Sequence, residues 1–336
     1  MRHRLFVLAS VLMISIATAW LATSSVAGQA AKPYTAPRTA SGQPDLQGFW
    51  TNSTYTPLER PTNVTKEYYT EAEAAAAEKR AAEREVEQTT PGTVPDVHYD
   101  FTQFGLDRNQ SALARNLRTS MIVDPTNGRL PPLSAEGQTR AAERAEQAKR
   151  VGRWDSAESN QLDDRCLIMD GAGPPMMNSA YNANYQFVQT PGYVMMLVEM
   201  IHDVRLISLD GRPAPHTNVR QWMGVPRGRW EGETLVVETT NFNGKNSFRG
   251  SSDQLRVTER FTRVADDTIM YRFTVEDALT WTRPWTAEMP MTRTVGPLFE
   301  HACHEANYGL MNTLVGARLE EKKAAEGAAK KPTLSR

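Results

Sequence analysis

Two cysteines, six histidines and almost no charge imbalance limit what this 336-residue chain can do. Two cysteines exclude a disulfide scaffold and a four-cysteine zinc site. With 38 basic against 39 acidic residues, no basic excess marks a surface for nucleic acid or for an anionic membrane. The chain has no Gly-x-Ser-x-Gly elbow. His304-Glu305 is not followed by a second histidine four residues on, so there is no zincin helix. No glycine-rich loop opens a helix to hold phosphate, and no dinucleotide fingerprint follows a strand. The expectation is a protein without an organic cofactor that acts on or binds a small molecule.

The N-terminus carries an export pattern. Met1-Arg2-His3-Arg4 is basic, Leu5–Ala22 is an apolar run, and Ser25-Val26-Ala27 places small residues at a cleavage site. The competing reading is a membrane anchor, but the apolar run is near the lower limit for spanning. No cysteine follows the run, which argues against a lipoprotein. Residues 1–27 are therefore expected to be a signal peptide, with no stable membrane anchor and a periplasmic or secreted destination. In an oxidising compartment the even count favours a bridge between Cys166 and Cys303. The alternative, Cys303 as a nucleophile served by His304, places the two on opposite faces of a strand.

The second half reads as β-structure. Half-buried alternation runs through Tyr185–Gln189, Tyr193–Ile201, Val204–Leu209, Glu233–Phe242, Leu255–Val264, Thr268–Glu276 and Thr280–Thr292. Turns rich in Gly, Asn, Asp and Ser separate them, and no helical periodicity intervenes. This predicts a mainly β fold, an antiparallel meander closing as a β-barrel, with Leu298–His304 as the last strand. Gly48-Phe49-Trp50 reads as a first strand or plug, and its Gly-x-Trp form resembles lipocalin-like (calycin-like) barrels. Two peripheral helices precede the barrel. One follows the capping box of Thr70 and Glu73 and runs to about Glu87; the other spans Ser134–Arg150. The expected organisation is a signal peptide (1–27), an extension with the two surface helices (28–160), a barrel (161–316) and a disordered tail (317–336).

A set of motifs also resembles a family of uncharacterised secreted bacterial proteins. It comprises Pro44-Asp45-Leu46-Gln47-Gly48-Phe49-Trp50, Asp164-Arg165-Cys166, Tyr193–Arg212, Arg220-Gln221-Trp222, Arg227–Val237, Glu259-Arg260-Phe261-Thr262-Arg263, Thr280–Thr286 and Ala302-Cys303-His304-Glu305. Ala306 stands where that family usually shows Gly. The resemblance implies export and a shared fold, and it assigns no activity.

Strand parity nominates the site. In Thr280–Thr292 it sets Trp281, Arg283 and Trp285 on one face with Met289 and Met291; in Thr268–Glu276 it sets Tyr271 inward. An arginine between two tryptophans can stack and donate to a carboxylate. The expected ligand pocket is therefore Arg220, Trp222, Tyr271, Trp281, Arg283, Trp285 and Asn307. His202, Asp203, His304 and Glu305 are the candidates for acid–base catalysis at a barrel mouth. They suit isomerase, cyclase, lyase or hydratase chemistry on a small organic molecule. One alternative is a metal-dependent hydrolase holding a divalent ion through His202, His304 and Glu305. Another is a non-catalytic envelope protein that binds carbohydrate on exposed aromatics. Oligomeric state is open.

Overall fold

The computed structural model describes residues 34–85, 116–169, 171–177, 183–245, 247–305 and 307–329. The export pattern at 1–27 lies outside them, as do Ala306 and residues 330–336. Ala36–Arg336 is one compact unit.

Among the described residues ten strands form one sheet: β1 (Gly48–Thr51), β2 (Ile122–Asp124), β3 (Asn184–Gln189), β4 (Tyr193–Val198), β5 (Val204–Ser208), β6 (Val225–Glu231), β7 (Thr234–Thr240), β8 (Arg256–Ala265), β9 (Thr268–Glu276) and β10 (Trp285–Arg293). From β3 to β10 each strand neighbours the next. β10 and β3 both pair with β1, so nine strands close a barrel. Trp50 lies opposite Arg293 and Thr51 opposite Thr292 at the closure. β2 adds to the remaining edge of β10. The ladders are antiparallel except at β5–β6, where a single parallel pair joins Ser208 to Arg227.

Alternation sorts the faces. Ile269, Tyr271, Phe273 and Val275 of β9 are all fully buried, as are Trp285, Ala287, Met289 and Met291 of β10. One barrel end is closed by Trp50, whose indole N–H donates to the Leu46 carbonyl at 2.8 Å. The guanidinium groups of Arg293 and Arg263 lie 4.7 and 5.8 Å from its ring. At the other end the segment Gly171–Met177 packs into the core. Met176 is fully buried, and its N–H donates to the Tyr271 hydroxyl at 2.9 Å.

Three helices complete the described chain. α1 (Glu71–Glu85) starts at a reciprocal capping box: the Thr70 N–H donates to Glu73 Oε2 at 2.8 Å, and the Glu73 N–H to Thr70 Oγ1 at 3.3 Å. α2 (Ala135–Arg150) is capped by Ser134 Oγ, which accepts from the Gly137 N–H. It docks on the loop before β10 through Arg140, which donates to Thr280 Oγ1 at 2.6 Å. Gly137 permits that approach, since a Cβ there would lie 2.5 Å from the Thr280 carbonyl oxygen. Gly137→Ala gains helix propensity but is expected to destabilise by about 1–2 kcal/mol net, because the clash is with backbone. Chemical denaturation checks this, and an unchanged midpoint would contradict it. α3 (Tyr308–Ala329) is a single long helix.

The structure corrects four sequence expectations. Leu298–His304 is irregular and closes nothing: β1 already pairs with β10, and Pro297 has no N–H to donate. Residues 317–329, expected to be a disordered tail, continue α3, whose Ala, Glu and Lys favour helix and whose Arg318–Glu321 and Glu320–Lys323 pairs add local support. β4 ends at Val198 rather than Ile201, because Ile201 and His202 turn the chain at φ 56° and 55°. β6 was not expected, since Pro226, Gly228 and the charged residues break its pattern. Gly228 fits because Ile207 and Leu209 occupy the space its Cβ would take, at 2.6 and 2.8 Å.

Candidate functional site

Parity carried across a proline misplaced the central arginine. Residues 277–284 are a turn and loop, and β10 begins only at Trp285. Trp281 and Trp285 are buried and meet edge to face at 5.8 Å. Arg283 instead lies half exposed, its Nη2 donating to both Asp124 carboxylate oxygens at 2.7 Å. The expected guanidinium between two tryptophans does not form. Arg220 serves the loops, donating to the Phe242 and Asp253 carbonyls at 2.9 and 3.0 Å and pairing with the Asp253 carboxylate. Trp222 is half-buried beside it. Asn307 donates to the Asp164 carbonyl at 2.9 Å, next to the Cys166–Cys303 disulfide. That bridge has its Cα atoms 5.7 Å apart and leaves no free thiol, which removes the nucleophile reading for Cys303.

The proposed acid–base groups do not gather. His304 and Glu305 are exposed, and no described contact joins either to His202. His202 Nε2 accepts the His301 backbone N–H at 2.9 Å. Among the described residues, no group of three or more potential ligands is placed to hold a metal. Asp203 is partly buried, and desolvation pushes its carboxyl up to about 6. A raised acid favours the folded state when protonated. Its contribution is present below the ordinary value of 3.8 and is lost as pH rises through about 6. Asp203→Asn is therefore expected to raise the melting temperature at pH 7.5 and leave it nearly unchanged at pH 4. Equal effects at both pH values would contradict the desolvation argument.

The barrel interior holds charge that sequence reasoning did not place. Arg205 of β5 and Glu259 of β8 both point inward and are joined by two hydrogen bonds, one of 3.0 Å between Nη1 and Oε1. Tyr271 donates to Glu259 Oε1 at 2.8 Å, so the tyrosine expected to touch ligand is committed to the core. Burial raises its pKa well above the ordinary range for a phenol. The signal was present in Val257-x-Glu259-x-Phe261, where apolar neighbours of one parity carry the glutamate inside. These side chains are fully buried, which makes the network structural.

The open space lies outside that network, among loops at the Met176 end. A cleft of about 760 Å³ is walled by residues 54–58 after β1, by parts of 161–177 and, from the β7–β8 connection, by Lys245 and 247–249. Thr54, Thr56, Gln161 and Ser247 supply hydroxyl and amide groups, while Leu162, Ile168, Met177 and Phe248 supply apolar wall. Phe248 stacks on buried Trp285 at 6.1 Å, which ties the wall to the core. Lys245 and Arg249 reach the cleft, and neither forms an ion pair among the described residues. Arg249 sits at φ 49°, a left-handed conformation uncommon for a residue with a side chain. Among the described residues Asp163 is the single acid in the lining, and its Oδ1 accepts the Asp164 N–H at 2.9 Å.

No family model, curated protein or solved structure matches the chain. The likeness to secreted bacterial proteins therefore stands on the sequence motifs alone. The chemistry must be read from the cleft itself. Among the described residues it offers two cations, one acid, several neutral donors and no histidine. Residues 54–58 and 245–249 had no motif to recommend them: they are loop residues made neighbours only by barrel closure.

Proposed function

We propose that the protein binds a small organic anion, a carboxylate or phosphate ester with an apolar body, in the cleft at the Met176 end of the barrel. The observation that carries this reading is the pair of cations Lys245 and Arg249, which form no ion pair among the described residues, over a cleft of about 760 Å³. That volume lies within the range of small-molecule sites. Arg249 can grip an anionic group through two parallel N–H donors, and Lys245 adds a point charge beside it. Phe248, Leu162 and Ile168 suit the apolar part of such a ligand. Non-catalytic binding is favoured over proton transfer, since no histidine among the described residues lines the cleft and Asp163 already accepts a backbone N–H. The reading needs no cofactor, and export to the periplasm or beyond remains part of the proposal.

Calorimetric titration with benzoate and with benzamide, its neutral counterpart, tests it. Saturable binding of benzoate is expected, weaker by about tenfold or more for benzamide and for the Lys245→Ala/Arg249→Ala double variant. Equal binding of the two compounds, or full affinity in the double variant, would overturn it.

A further inference from the structure

A second cavity has the opposite chemistry. After β4 the chain turns through Glu199–Asp203, and residues 298–301 cross over that turn. Between them lies a cavity of about 280 Å³ lined by Leu197, Val198, Leu298 and Phe299, with Glu199, His202 and Glu300 as its polar members. No lysine or arginine among the described residues lines it.

Glu199 is the decisive residue. It is 2% exposed, yet its partners are neutral: Oε2 accepts from Asn184 Nδ2 at 2.6 Å and Oε1 from the Phe299 N–H at 3.1 Å. Among the described residues it has no ion pair. A buried carboxylate with only neutral donors keeps much of its desolvation cost, and a cation offsets that cost. Other features add to the negative character. Glu300 stands at the exposed side of the cavity, and Asp203 on the same turn has a buried Oδ2 without a hydrogen-bond partner. The His202 ring is turned to the crossing segment, its Nε2 accepting the His301 N–H at 2.9 Å. The turn is also strained: Ile201 and His202 both take left-handed backbone. Such conformations persist where the surroundings enforce them, commonly at ligand sites.

We propose that this cavity is a binding site for a small organic cation, a primary or secondary ammonium on an apolar body. The ammonium meets Glu199, with Glu300 completing the charge, and the body lies against Leu197, Leu298 and the Phe299 ring. A half-exposed aromatic at the edge of an acidic pocket suits such a ligand through its π face. Apolar walls favour an organic ammonium over a bare metal ion, as does the spacing of Glu199, His202 and Glu300, which among the described residues form no group placed to hold a metal. None of these residues belongs to the anion cleft, so this site stands or falls separately.

Titration of the full chain with phenethylammonium, and with 2-phenylethanol as the uncharged control, decides the matter. One-to-one binding is expected, weaker by about tenfold or more for the alcohol and for Glu199→Gln. Because Glu199→Gln disturbs two internal hydrogen bonds, Glu300→Gln and Phe299→Ala provide a second route. Both side chains are exposed, both variants are expected to keep the wild-type circular dichroism, and each is expected to lose several-fold in affinity. Absence of saturable phenethylammonium binding to the wild type would overturn the proposal. So would equal affinity for the alcohol, or unchanged affinity in both Glu300→Gln and Phe299→Ala.

Discussion

Glu259→Gln is expected to lower the stability of the fold by about 3–5 kcal/mol, the cost of leaving a buried arginine without its counter-charge. Arg205 and Glu259 have side-chain exposures of 1% and 0%, so solvent cannot take over the pairing. Burial alone would lower the Arg205 pKa, and the adjacent carboxylate more than reverses that, leaving the guanidinium firmly charged. The substitution also weakens the Tyr271 hydrogen bond, and through Tyr271 the seat of Met176. Replacing both partners, Arg205→Met with Glu259→Leu, is expected to recover most of the loss, because an apolar pair of similar volume removes the desolvation cost as well. Urea denaturation of the wild type, the single variant and the double variant checks the sequence of midpoints. A single variant within about 1 kcal/mol of the wild type would show that the pair is not buried as described.

Replacing both cysteines by serine is expected to have an effect of comparable size. Cys166 and Cys303 are separated by 137 residues, and the chain-entropy model assigns a loop of that length about 5 kcal/mol. Two consequences follow from where the bridge sits. It holds residues 294–305 against the 161–168 segment, which includes Asp163 of the anion cleft. It also lies next to Asn307, which joins the start of α3 to the same segment. The double serine variant should therefore lose anion affinity at temperatures where it is still folded. Full benzoate binding and an unchanged unfolding midpoint would contradict the structural role of the bridge.

The legible and the hidden parts of this molecule divide along a physical line. Thr268–Glu276 is recoverable to the residue, because strict alternation fixes both its ends and its faces. Ser134 and the Thr70–Glu73 pair mark helix starts through local hydrogen bonds that need no distant partner. The site was less accessible. Trp281 and Trp285 go inside as parity requires, but Pro284 separates the loop from β10, so the rule does not reach Arg283. At Glu199–Asp203 two left-handed residues likewise reset the face before β5 begins. Lys245 and Arg249 lie in an irregular connection where no periodicity operates. Their position opposite residues 54–58 depends on barrel closure, a contact across nearly two hundred residues.

Binding at the cleft is tested most directly by amide chemical-shift mapping of the isotope-labelled chain during titration with benzoate. Shifts concentrated at residues 54–58, 161–163 and 245–249, and absent from the Lys245→Ala/Arg249→Ala variant, are the expected result. Shifts centred elsewhere, or none at saturating benzoate, would contradict an anion site at the end of the barrel.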